Sequence, residues 1–253
     1  MTDATNISGA HVNVFADHAV KWAQSGTTVA DRVNMQGAWL AANAPLHSFL
    51  PVVQKQMPGG YRMELLTELP DFVDDTVLAG VVINRLTRLW EEPTIHAFDP
   101  DAHLDYVVKL AARVDHAGEM AIWWDEVRPF IDDPCRVHGD PTIDNCMLRG
   151  GGELVITDPI PPGIHLPSIR ALDIGKVIQS AAGYEEVARG RRPTTIPWID
   201  DGWWEDVLPD VDEHEWRLCL YMAAVHFLRL LPYTPQHIDV WSDRIRTLIE
   251  HGT

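Results

Sequence analysis

Cysteine is scarce in this 253-residue chain: Cys135, Cys146 and Cys219 are odd in number and show no paired spacing. A disulfide framework and a zinc site are therefore not expected, and a reducing cytoplasm is the expected compartment. Lysine is rarer than its abundance elsewhere would lead one to expect, occurring at Lys21, Lys55, Lys109 and Lys176 alone. With a formal net charge of −17, the chain has no clustered cations to neutralise a phosphate backbone, so nucleic acid is not an expected partner. The same charge tolerates a cationic small molecule, or serves solubility only. No apolar run approaches the ~20 residues needed to span a bilayer, which excludes a membrane partner of that kind. The start of the chain lacks a basic segment followed by an apolar core, so no signal peptide is expected. Also missing are a Gly-x-Gly-x-x-Gly run and any glutamate before Glu64.

What is present is ordinary globular material, 46% hydrophobic and 23% charged, with one unusual stretch. It reads His138-Gly139-Asp140-Pro141-Thr142-Ile143-Asp144-Asn145, followed by Val155-Ile156-Thr157-Asp158-Pro159. Short apolar runs on either side of Gly150-Gly151-Gly152 predict a β-hairpin, since glycine supplies the backbone freedom of a tight turn. A hairpin brings its outer ends together, which makes Asn145 and Asp158 neighbours and leaves Asp140 one loop earlier. Two oxygen ligands suit a divalent ion, and a separate carboxylate is left to take a proton.

Periodicity predicts a small β-containing region first. Strands are expected over 12–15, 18–22, 50–56 and 61–66, with a helix over 29–43 and a turn at Pro58-Gly59-Gly60. Helical patterns then dominate, over 73–90, 103–124, 168–184, 204–208, 213–231 and 235–251. A boundary near Leu66 divides the chain into 1–66 and 67–253, the second carrying the Asp140 loop and the metal site. The fold class is α+β, two-lobed.

The 138–159 stretch resembles the core of the aminoglycoside phosphotransferase and choline kinase-like branch of the protein-kinase-like superfamily. The resemblance implies a reduced β-rich N-lobe, a larger helical C-lobe, and transfer of the γ-phosphoryl group of ATP or GTP to a hydroxyl of a small molecule. It implies Asp140 as catalytic base and Asn145 and Asp158 as Mg²⁺ ligands, with His138 bracing the loop and Asp173 hydrogen-bonding its backbone. Lys21 is the implied phosphate-binding lysine. The family pairs it with a helix glutamate, and here Gln36 stands at that position, with Asp31 as a substitute. Tyr61-Arg62-Met63-Glu64-Leu65-Leu66 resembles the hinge that reads the nucleotide base, with Met63 at the back of the pocket and Glu64 and Leu66 giving main-chain contacts. Ser8-Gly9 is all that resembles a phosphate-covering loop. Pro159 stiffens the segment after Asp158, since proline fixes its own backbone and donates no hydrogen bond.

The missing helix glutamate and meagre glycine loop keep a second reading open, a nucleotide-binding pseudokinase acting through a protein partner. A protein Ser/Thr kinase is a third. Ten tryptophans read mainly as packing. Asp200, Asp201, Glu205 and Asp206 suit either an amine-bearing acceptor or a solvated loop. Aminoglycoside-, choline- and sugar-like acceptors all fit the sequence.

Overall fold

The computed structural model describes residues 2–5, 9–70, 75–184, 187 and 203–253. Ser8, Asp200 and Asp201 lie outside the described residues. The chain packs as two compact units, Met1–Val73 with Asp144–Pro161, and Asp74–Ile143 with Pro162–Thr253. The chain passes from one unit to the other between Ile143 and Asp144. Asp140 thus belongs to the second unit, and the hairpin bearing Asn145 and Asp158 to the first.

The first unit is built on a five-stranded antiparallel sheet. Its strands are β1 (Thr2–Thr5), β2 (His11–Val14), β3 (His18–Trp22), β4 (Val53–Met57) and β5 (Gly60–Glu64), in the order β1-β2-β3-β5-β4. The register pairs Lys21 with Tyr61 and His18 with Glu64. The β4–β5 turn needs glycine twice. Gly59 has φ +74, which disfavours any side chain, and a Cβ on Gly60 would lie 2.6 Å from the Lys21 carbonyl. Helix α1 (Thr28–Asn43) is capped by Thr27, whose side chain accepts from the Ala30 N–H. It packs on the sheet so closely that a Cβ at Gly37 would meet the Tyr61 ring at 2.8 Å.

A second, three-stranded sheet in this unit joins β6 (Thr67–Glu68) to the hairpin β7 (Cys146–Arg149) and β8 (Glu153–Ile156). Arg149 anchors the hairpin. Its guanidinium donates to Glu64, to Glu153 and to the carbonyls of Ser48 and Leu50. Five donors in a planar fork are what allow one side chain to hold four segments. The hairpin over 146–157 that the sequence predicts is present, with its turn at the three glycines.

The second unit is helical: α2 (Asp75–Trp90), α3 (Pro100–Ala111), α4 (Ala117–Val127), α5 (Arg170–Gln179), α6 (Trp203–Val207), α7 (Glu213–Leu228) and α8 (Ile238–Gly252). The sequence predicts one helix over 103–124, and the structure corrects this to two. The chain leaves α3 through a 3₁₀ turn at Ala112–Val114 and reverses at Asp115, φ 61. Aspartate tolerates this left-handed conformation better than most residues, and an apolar repeat that continues across the break hides it. Helix α7 is apolar on every side and buried from Leu218 to Leu228, so it forms the centre of the unit. Around it stand Trp123, Trp124 and Trp241, all nearly inaccessible. Among the described residues no helix is long and apolar enough to cross a membrane.

Two predictions follow from this packing. A Cβ at Gly175 of α5 would sit 2.7 Å from the Ala223 nitrogen and from Met222 Cβ of α7. Gly175→Ala should therefore lower the urea-unfolding free energy by about 1–3 kcal/mol through overpacking. His103 is fully buried, donating from Nδ1 to the His165 carbonyl at 2.6 Å and accepting at Nε2 from the Tyr221 hydroxyl at 3.0 Å. Burial holds its imidazole down at about 4, against an ordinary 6.5, despite the bond to His165. Between those values the unfolded chain binds the proton and the folded one does not, so stability is lost as pH falls through the window. The loss reaches about 3 kcal/mol at its lower end. Urea midpoints at pH 7 and pH 4.5 should differ less for His103→Gln than for the parent.

Candidate active site

The loop from His138 to Ile143 is set by α5 and the turn that follows it. Asp173, in the first turn of α5 and fully buried, turns its carboxylate onto the loop backbone. Its Oδ2 accepts from the His138 N–H at 2.9 Å and from Trp90 Nε1 at 3.0 Å, and its Oδ1 from the Gly139 N–H at 2.6 Å. Farther on, the Ser180 hydroxyl accepts from the Ile143 N–H at 2.8 Å, and the Thr142 N–H closes on the Asp140 carbonyl at 2.8 Å. Gly139 lies between, at φ 79. The backbone on both sides of Asp140 is therefore fixed by hydrogen bonds. Burial pushes the Asp173 carboxyl up to about 6, although the bonds from Trp90, His138 and Gly139 work against it.

One turn beyond Asp173, Lys176 brings its Nζ to 3.0 Å from Asp140 Oδ1. The Tyr184 ring lies 5.5 Å from the same ammonium, in reach of a cation–π contact. Burial works to raise the Asp140 carboxyl. Lys176 outweighs it by charge and hydrogen bond, with His138 and Arg229 adding in the same sense, and Asp140 is held below the usual carboxylate range. The sequence reading assigns Lys176 no role. The signal was available in the i, i+3 spacing, which places Asp173 and Lys176 on one helix face.

In the first unit, Lys21 on β3 is almost inaccessible, at 2% exposure, and its Nζ lies 2.5 Å from Asp158 Oδ2. Asp158 follows β8 at φ 61, a left-handed turn that carries its side chain out of the strand pattern. Asn145 ends the short 3₁₀ turn Ile143–Asn145 just before β7. Its carbonyl accepts from the Thr157 N–H at 2.8 Å and from the Thr157 hydroxyl at 3.0 Å. Asn145 and the residue before Asp158 are thus bonded across the open end of the hairpin. Tyr61, the cross-strand partner of Lys21, is fully buried, and its hydroxyl has no hydrogen-bond partner among the described residues. Burial raises that phenol well above its ordinary range, with the charge of Asp158 adding.

Gln36 is buried in α1, its Oε1 lacking a hydrogen-bond partner among the described residues; the carboxylate beside Lys21 is Asp158. Met63 and Leu66 are buried. The Glu64 carboxylate takes two guanidinium bonds from Arg149 and the Val52 N–H. The Glu64 N–H donates to the Val52 carbonyl at 3.1 Å. Strand β5 ends at Glu64 rather than running to Leu66.

One carboxylate and one amide oxygen at a hairpin end suit Mg²⁺, a hard ion that takes oxygen ligands and completes its shell with water and phosphate. The Lys21–Asp158 pair shows that this carboxylate already faces a cation. Among the described residues no group of three or more His, Cys, Asp or Glu is placed to hold a metal.

No protein-family model and no curated protein sequence matches the chain. Solved structures do match. Choline kinase LicA from Streptococcus pneumoniae superposes with a TM-score of 0.63 at 11% identity, over 100% of this chain and 93% of that one. A glucosamine kinase in complex with glucosamine, ADP and inorganic phosphate gives 0.55 at 15% identity, over 96% and 78%. The GDP complex of aminoglycoside 2'-phosphotransferase-IIIa gives 0.57 at 12%, over 96% and 88%. The chain has the protein-kinase-like fold in the form these enzymes share, as the 138–159 stretch implied.

Removing the Asp173 carboxylate leaves two buried backbone N–H groups and one indole N–H without their acceptor. Asp173→Ala should cost roughly 3 kcal/mol of stability in urea titrations followed by tryptophan fluorescence.

Proposed function

We propose that the protein is a phosphotransferase that moves the γ-phosphoryl group of ATP or GTP to a hydroxyl of a small molecule. The observation that carries this reading is Asp140, a carboxylate in a backbone-pinned loop, kept ionised by Lys176. The kinase-like fold supports it. So do the nucleotides and acceptors named for its structural neighbours, ADP with glucosamine in one and GDP in another.

In this reading the acceptor oxygen attacks the γ-phosphorus and a new O–P bond forms. The bond to the β–γ bridging oxygen breaks, its electron pair leaves with the nucleoside diphosphate, and the hydroxyl proton passes to Asp140. Asn145 and Asp158 would hold Mg²⁺, which would supply charge neutralisation at the phosphates. Lys21, paired with Asp158 in the free protein, would serve the α- and β-phosphates once Asp158 is engaged by the metal. Residues 61–66 serve as the hinge, with Met63, Glu64 and Leu66 toward the base and the Glu64 N–H already committed to Val52. His138 and Asp173 position the loop. Positioning and charge stabilisation supply most of the rate in such a reaction.

A second reading, nucleotide binding without transfer, is favoured by one observation: buried Gln36 offers Lys21 no compensating charge. Two variants separate the readings. Asp158→Ala should abolish the Mg²⁺-dependent part of the thermal shift given by ATP. Asp140→Asn should keep that shift and lose phosphoryl transfer by roughly 10²–10⁴-fold, read as nucleoside diphosphate release. Equal turnover by Asp140→Asn and the parent would refute the assignment of the base.

A further inference from the structure

Asp173 of α5 couples to Asp140 as a like charge, and two cations act on Asp140 as well, Lys176 from α5 and Arg229 from the end of α7. Lys176 pairs with it directly, at 3.0 Å. His226 is buried, with Nε2–H donating to the Leu172 carbonyl of α5 at 3.0 Å, which leaves Nδ1 as an acceptor. Arg229, the residue that caps α7, fills that role, its Nη1 lying 3.1 Å from His226 Nδ1. Burial first, then the charges of Lys176 and Arg229, depress the imidazole well below its ordinary range, so His226 is a neutral bracket that aims the guanidinium.

Arg229 is half-buried and, among the described residues, its charge reaches Asp140 without a direct ion pair. In the same chain Arg136, Arg149, Arg170 and Arg217 each hold a glutamate. A guanidinium withdrawn from water in a chain of net charge −17 calls for an anion. The nearby carboxylates are accounted for, Asp140 by Lys176 and Asp173 by Trp90, His138 and Gly139.

We propose that the acceptor carries a carboxylate or phosphate group near its reacting hydroxyl, and that Arg229, supported by Lys176, recognises it. The inference rests on Asp140 being the base, because groups that face the base then line the acceptor. An anion completes the guanidinium fork in bidentate fashion. An ammonium in the same place meets two like charges. The local field, not the acidity of the chain as a whole, sets this preference.

The test uses two acceptor series matched in size and differing in charge: glycerate, glycerol and 3-aminopropane-1,2-diol, and gluconate, sorbitol and glucamine. Binding to the full chain loaded with Mg²⁺ and a non-hydrolysable ATP analogue is read by saturation-transfer NMR, and transfer from ATP by ADP release. In at least one series the anionic member should exceed its cationic counterpart about tenfold in affinity or kcat/KM. Arg229→Met should erase that margin, and Arg229→Lys should keep its sign. If Arg229→Met does not fold, Lys176→Met and the parent ranking decide. A preference for the amines, silence of both anionic members, or a margin untouched by loss of the guanidinium overturns the inference. Failure of the parent to bind Mg²⁺ and nucleotide would instead strike the phosphotransferase reading.

Discussion

A single buried carboxylate, that of Asp173, organises everything around Asp140. It accepts from two consecutive loop amides and from the Trp90 indole, and so converts a glycine-containing loop into a rigid one. The carboxyl tends to hold its proton, because desolvation favours the neutral form. Three donors aimed at it oppose that tendency. Burial and hydrogen bonding are thus set against each other at one residue, and the loop conformation depends on the balance.

Asp140 shows the same contest with the opposite outcome. It too is deprived of water, yet Lys176 at 3.0 Å keeps it charged. Both side chains come from α5, one turn apart, so a single helix supplies the group that holds the loop and the cation that ionises its carboxylate. Gly175 between them lets α5 lie against α7 at backbone distance. The packing of the helical unit and the electrostatics of Asp140 are therefore one problem: displacing α5 would move the loop, its acceptor and its counter-ion together.

In the first unit the equivalent element is the Lys21–Asp158 pair. A lysine this deeply buried needs a carboxylate, and the sequence offers no glutamate on α1 to provide one. Asp158 supplies it from the hairpin, and Arg149 secures the hairpin through Glu64 and Glu153. Glu64 thereby acquires a structural task that a reading of 61–66 as hinge alone does not contain.

The sequence by itself determined the pieces whose signals are local. Period-two and period-3.6 patterns pointed to β2 to β5 and most of the helices but not to β1 or β6, three glycines marked the hairpin, and the 138–159 stretch carried the resemblance to the kinase-like fold. It missed the break at Asp115, because an apolar repeat runs through it and the reversal depends on one left-handed residue. Only the tertiary structure decided which charges meet. Lys176 lies 36 residues from Asp140, and Lys21 lies 137 from Asp158. No spacing rule reaches across such separations, because long-range pairing is set by how helices and strands pack. The same holds for Arg229, whose charge reaches Asp140 from the end of α7, and for His226, which bonds to Leu172 of α5.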